Sequence, residues 1–211
     1  MQLAESSVFI IDDDQSIRRG LGGILRSVGL QVSEFESADA FLQSPNRGDA
    51  SCLVLDVRLP GLSGLALQAR MSELNLHIPI VMITGHGDIP MSVRALKAGA
   101  VDFLTKPFRD QEILDAVYGA IERDRVRRSS DDAAQQILSR FRSLTARERE
   151  IIMHVCQGAM NKQIAADLGV SEITVKIHRG RVMRKMGARS LADLVRMGEI
   201  IRSRVTVGDS I

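Results

Sequence analysis

The chain has 211 residues, 45% hydrophobic and 26% charged, with 28 Lys+Arg against 26 Asp+Glu. That is ordinary soluble globular material, enough for one large domain or two small ones, and its longest apolar runs fall well short of a membrane span. The N-terminus lacks a basic region followed by an apolar stretch and a small-residue cleavage site, so a cytoplasmic location is expected. Cys52 and Cys156 lie far apart and are expected to stay reduced rather than bridge, and His77, His86, His154 and His178 show no metal-ligand spacing, so no zinc site is expected.

The net charge of +2 conceals a division. Residues 1–124 hold 11 Lys+Arg against 17 Asp+Glu, a net of −6, and residues 125–211 hold 17 against 9, a net of +8. An acidic half joined to a basic half predicts two domains with different partners, the basic one meeting a polyanion such as nucleic acid.

In chain order, the acidic half alternates between short apolar runs and segments of helical period. Val8–Ile11, Val32–Phe35, Cys52–Leu55, Ile80–Ile83 and Val101–Leu104 read as strands. Ile17–Val28, Ala38–Leu42, Gly64–Leu74, Pro90–Ala98 and Gln111–Ile121 read as helices. Five βα units predict a doubly wound, flavodoxin-like α/β domain, a five-stranded parallel sheet with functional residues at the carboxyl ends of the strands.

Those ends carry related chemistry. The first run ends in Asp12, Asp13 and Asp14, the third in Asp56, the fourth in Thr84 and the fifth in Lys106 before Pro107. Adjacent carboxylates repel one another and raise one another's pKa unless a positive charge sits among them, and a set of oxygen ligands favours a hard cation such as Mg²⁺. Beside such a cation an aspartate can attack phosphorus while a lysine and a hydroxyl hold the phosphoryl oxygens, and Asp56 is placed to be that nucleophile. Asp14 reads better as the N-terminal acid of the following helix than as a ligand. Pro107 restricts Lys106 to extended geometry, and a cis bond is open there.

With "IDDD", "LVLDVRLPGLSG" and "ITGHGDIPMSVRALKAGAVDFLTKPF" in view, the segment from Val8 to about Arg123 resembles a receiver domain of two-component response regulators, and its wording resembles the FixJ/StyR branch. The resemblance implies that Asp56 takes phosphate from the phosphohistidine of a sensor histidine kinase. It implies Mg²⁺ bound directly by Asp13, Asp56 and the main-chain carbonyl of Arg58, with Asp12 acting through water. Thr84 and Lys106 would sense the phosphoryl group, and Phe103 would occupy the aromatic switch position without a tyrosine's hydroxyl. Arg58 and His86 occupy positions at which the family tunes phosphoryl lifetime. A dehalogenase-type phosphatase also uses an aspartate nucleophile, Mg²⁺ and a lysine, but needs a second aspartate two residues on, where this chain has Arg58.

Beyond the fifth strand, Ile113, Val117, Ala120 and Ile121, and later Ala134, Ile137, Leu138 and Phe141, keep helical spacing around the polar "RDRVRRSSDDAA". Residues 125–142 are therefore expected to be a mostly helical linker, one long helix or two with a break near Ser129. Its apolar stripe fits a dimer seam or packing against its own domains.

Residues 143–211 then break into short helices. Thr145 and Glu148 form a capping box, Gly158 closes the first helix, and Gly169–Val170 turns tightly into a helix capped by Ser171. That helix carries Lys176, Arg179, Arg181, Arg184 and Lys185 on a frame of Val175, Ile177, Val182 and Met186, a basic face suited to a DNA groove. "LTARERE", "NKQIAADLGVSEITVKIHR" and "ARSLADLV" resemble the LuxR/NarL-type helix-turn-helix domain, an all-α four-helix module. Gly180 departs from the NarL type, which has a base-reading lysine there, so base contacts fall to Lys176, Ile177, His178 and Arg179. Arg184 and Lys185 are expected to hold phosphates. Gly180 also costs about 1 kcal/mol of helix propensity, consistent with close approach to DNA or to another helix.

A quorum-sensing regulator shares the DNA module, but an acyl-lactone pocket leans on aromatics, and the chain has no Trp and one Tyr. The domains expected are a receiver over 1–124, a linker over 125–142 and a DNA-binding domain over 143–211. Together they imply a transcription regulator, not an enzyme. Its partners would be a sensor kinase, double-stranded promoter DNA, RNA polymerase and, once phosphorylated, a second copy of itself.

Overall fold

The computed structural model describes residues 6–46, 50–85 and 89–208, and the chain divides into two compact units between Arg127 and Arg128. The position of His86 lies outside the described residues.

The first unit contains β1 (Ser7–Ile11), α1 (Gln15–Ser27), β2 (Gln31–Phe35), α2 (Ala38–Gln43), β3 (Cys52–Asp56), α3 (Gly64–Glu73), β4 (Ile80–Thr84), α4 (Ile89–Lys97) and β5 (Asp102–Thr105), followed by α5 (Asp110–Arg142). The strands form one parallel sheet in the order β2-β1-β3-β4-β5. Parallel strands need both faces covered, which explains runs that are apolar at every position. In β3, Cys52 and Val54 join the cluster packed by Leu21 and Leu25 of α1 and by Ile113, Val117 and Ile121 of α5. Leu53 and Leu55 point the other way, into a cluster with Phe41 of α2, Leu67 and Met71 of α3 and Ala95 of α4. β1 lies between β2 and β3, so the chain leaves it first to one side and then to the other. This reversal opens a crevice at the carboxyl ends of β1 and β3.

α5 is one unbroken helix, with no interruption near Ser129. Its apolar positions pack on its own units: Ile113 to Ile121 in the first, and Leu138, with Ile137 and Phe141 beside it, in the core of the second. That core is completed by α6 (Ala146–Cys156), α7 (Asn161–Leu168), α8 (Glu172–Met186) and α9 (Leu191–Gly208). The Thr145–Glu148 capping box forms, Gly169 ends α7 in the left-handed conformation, and the Ser171 side chain caps α8. Both cysteines are free, and burial pushes the Cys52 thiol well above its ordinary pKa. Among the described residues no helix is long and apolar enough to cross a membrane.

Candidate functional site

Strand register assembles the first site. Ile11 pairs with Leu55, Asp56 with Ile83 and Thr84 with Thr105. One residue further along, Lys106 donates its amide to the Thr84 carbonyl at 2.7 Å. The ladder therefore sets Asp12, Asp56, Thr84 and Lys106 along one edge. Asp12 and Thr84 are fully buried, Asp56 is nearly so, and Asp13 is exposed.

Lys106 joins the two buried carboxylates. Its Nζ donates to Asp12 Oδ2 at 2.5 Å and to Asp56 Oδ2 at 2.8 Å. The remaining carboxylate oxygens are held from the backbone, Asp12 Oδ1 by the Asp14 amide at 2.9 Å and Asp56 Oδ1 by the Arg58 amide at 3.0 Å. Burial holds the Asp12 carboxyl above its ordinary pKa, with the Asp56 charge adding to it, despite the Lys106 bond. Desolvation pulls Lys106 down, but its bonds to the two aspartates outweigh this and leave the ammonium favoured. Arg18 spans the Asp12 and Asp13 carbonyls at 2.7 and 3.0 Å, which fixes the acidic turn. Asp14 accepts from the amides of Ser16 and Ile17 as N-cap of α1, so its carboxyl is low, chiefly through the Ser16 hydroxyl.

The donor set fits a hard divalent cation. Asp12, Asp13 and Asp56 each offer an oxygen within 4.8 Å of the others. Ionised, they carry three negative charges against the one of Lys106, and the Arg18 bonds go to carbonyls rather than carboxylates. A divalent ion would balance that excess.

Two neighbours complete the edge. Phe103 is half-buried against the cluster that contains Met82 and Ala95. Gly64 is packed under the end of β3, where an added Cβ would overlap the Asp56 carbonyl oxygen. The Lys106–Pro107 peptide is cis.

In the second unit, Val175, Val182 and Met186 of α8 face the core. The opposite face presents Ile173, Lys176, Ile177, Gly180, Arg181 and Arg184, all exposed. His178 and Arg179 flank it and are half-buried. Arg179 Nη1 donates to Asn161 Oδ1 at the start of α7, at 2.5 Å. Lys185 donates to the Glu148 carboxylate at 2.7 Å. Neither partner was legible in the sequence, because each pairing joins residues of different helices. Nothing lies within 4 Å of a Cβ built on Gly180, so no other helix among the described residues explains that glycine.

Residues 8–118 match the response regulator receiver domain, and residues 142–198 match the bacterial regulatory proteins of the luxR family. The chain belongs to the two-component response regulators that join a receiver to a LuxR-type DNA-binding domain, a family of transcription regulators rather than enzymes. It is 60% identical to nodulation protein W of Bradyrhizobium diazoefficiens over 194 residues, covering 92% of this chain and 86% of that one. With the transcriptional regulatory protein FixJ of Azorhizobium caulinodans it shares 43% identity over 190 residues, 90% of each chain. The solved structure of the response regulator StyR superimposes with a TM-score of 0.80 at 47% identity, covering 93% of this chain and 99% of that one.

Proposed function

We propose that Asp56 accepts a phosphoryl group from the phosphohistidine of a sensor histidine kinase, and that the phosphorylated chain dimerises and binds promoter DNA to regulate transcription. The observation that carries this reading is the convergence of Asp12, Asp56 and Lys106 at the carboxyl edge, with bonds of 2.5 and 2.8 Å to one ammonium.

An Asp56 oxygen attacks phosphorus in line with the histidine nitrogen; the P–N bond breaks and its electron pair returns to the imidazole. The Arg58 amide holds Asp56 Oδ1, fixing the carboxylate's direction of attack. Lys106 is placed to move from the Asp56 carboxylate to a phosphoryl oxygen, keeping its charge on the site throughout. The Thr84 hydroxyl would donate to another phosphoryl oxygen, and Phe103 would follow it. Asp13, Asp56 and the Arg58 carbonyl would hold Mg²⁺, with Asp12 acting through water. The bound cation would supply neutralisation of the phosphoryl oxygens.

In the basic unit, Lys176, Ile177, His178 and Arg179 would read base edges from the N-terminal half of α8, with Arg184 and Lys185 on phosphates. Lys185 would divide its charge between such a phosphate and Glu148, whereas Arg184 has no ion pair among the described residues. RNA polymerase is a partner this reading includes.

The test is Asp56→Asn in the full chain. Acetyl phosphate with Mg²⁺ should label the wild type, lose its effect when EDTA removes the cation, and leave the variant unlabelled. Undiminished incorporation into the variant would move the phosphoacceptor elsewhere.

A further inference from the structure

At the edge of the receiver opposite the carboxylates, the amino ends of β4 and β5 meet the C-terminal ends of α3 and α4 and the middle of α5. They line an open cavity of about 440 Å³. That lies within the ~300–1,000 Å³ typical of small-molecule sites. Met71, Leu76, Ile78 and Leu96 supply an apolar lining, and the polar residues Gln68, Arg123 and Arg127 line it beside them.

Gln68 is the polar group buried most deeply there, 3% exposed. Its Nε2 donates to the Ala95 carbonyl of α4 at 3.2 Å. Only the amide nitrogen can donate to a carbonyl, so that bond fixes the orientation of the side chain. Oε1 is thereby left buried with no donor among the described residues. A buried acceptor without a partner costs free energy, and a ligand that supplied a donor would recover it. The cations at the cavity differ. Arg127 is paired with the buried Asp124 at 2.6 Å, whereas Arg123 is exposed and has no ion pair among the described residues, its neighbour Glu122 being taken by Arg125.

We propose that this cavity binds a small organic anion with an apolar body and a hydrogen-bond donor. The anionic group meets Arg123, the body lies on Met71, Ile78 and Leu96, and the donor reaches Gln68 Oε1. The site stands about 15 Å from Asp56, the length of a strand of five residues. It involves none of the phosphoryl-site residues.

The full-length, unphosphorylated protein can be titrated with para-hydroxyphenylpropanoate while the Gln68 side-chain amide and the backbone amides of Ala98 to Val101 are followed by NMR. Saturable shifts confined to these groups are expected. Arg123→Glu, a surface change, should weaken binding about tenfold or more, the equivalent of ~1.4 kcal/mol, with an unchanged melting temperature. Gln68→Met should erase the preference for the hydroxylated probe over phenylpropanoate. The proposal is overturned by absence of saturable shifts up to millimolar probe, by undiminished affinity in Arg123→Glu, or by equal affinity for the neutral alcohol analogue.

Discussion

Two glycines of this chain are predicted to respond to alanine in opposite directions. Gly64, eight residues beyond Asp56, packs so closely under β3 that a methyl group would overlap the Asp56 carbonyl, while its own amide bonds the Val57 carbonyl at 3.0 Å. Gly64→Ala should therefore cost about 1–3 kcal/mol, because either α3 or the end of β3 must shift, and it should slow phosphoryl uptake by moving Asp56. Gly180 sits in the interior of α8 with open space around it. Gly180→Ala should stabilise the protein by about 1 kcal/mol through helix propensity alone. If that position is glycine because DNA approaches it closely, the same substitution weakens binding. Urea denaturation of both variants reads the stabilities, and a DNA titration of Gly180→Ala reads the cost; tighter binding would remove DNA approach as the reason for the glycine.

The elements were legible where one pattern decides them. β3 is apolar from Cys52 to Leu55 and ends in Asp56, and the helix caps of the second unit announce themselves as Thr145 with Glu148 and as Ser171. Asp12, Asp56, Thr84 and Lys106 were legible as neighbours because strand ends in a parallel sheet share an edge. What the sequence does not carry is pairing between helices. Ser130 before Asp131 and Asp132 has the local character of a helix start, yet α5 runs through it, held by apolar contacts on both sides. Lys185 reads as a phosphate contact in the sequence but is engaged here with Glu148, 37 residues earlier. That carboxylate is 2% exposed, and the Lys185 bond is the largest influence holding it below the usual range, with the Thr145 amide and hydroxyl adding to it. A depressed acid contributes stability that is present above its unfolded pKa, about 4.3, and is lost as pH falls through its folded value. Glu148→Gln retains a cap for the Thr145 amide but not the charge. Wild type should exceed the variant by about 1 kcal/mol at pH 7, a modest figure because Lys185 is partly solvated, and the difference should close below pH ~4. A gap that persists under acid would assign the effect to shape rather than charge.

At the scale of the whole molecule, a net of −6 over residues 1–124 and +8 over residues 125–211 separates the sensing chemistry from the DNA-binding charge. A phosphoryl group adds negative charge and cannot by electrostatics alone raise affinity for DNA, so it must bias a two-state element. α4 carries a surface on which such an element would act: Ile89, Val93 and Leu96 recur at helical spacing and are 80%, 41% and 46% exposed. Covering that stripe by a second receiver would join two DNA-binding domains and convert the second contact into an intramolecular one, a gain of roughly 10²–10⁴ in overall affinity without any new contact to DNA. Val93→Glu should leave phosphorylation of Asp56 and the stability of the monomer intact, because the position is solvated in the monomer. It should also hold the phosphorylated protein monomeric in sedimentation at micromolar concentration and lower its affinity for a two-half-site promoter toward that of the unphosphorylated chain. On a single half-site, wild type and variant should bind alike, since one domain suffices there. Should the phosphorylated variant remain monomeric and yet bind the paired site as tightly as wild type, avidity is not the switch, and phosphorylation must act within a single chain.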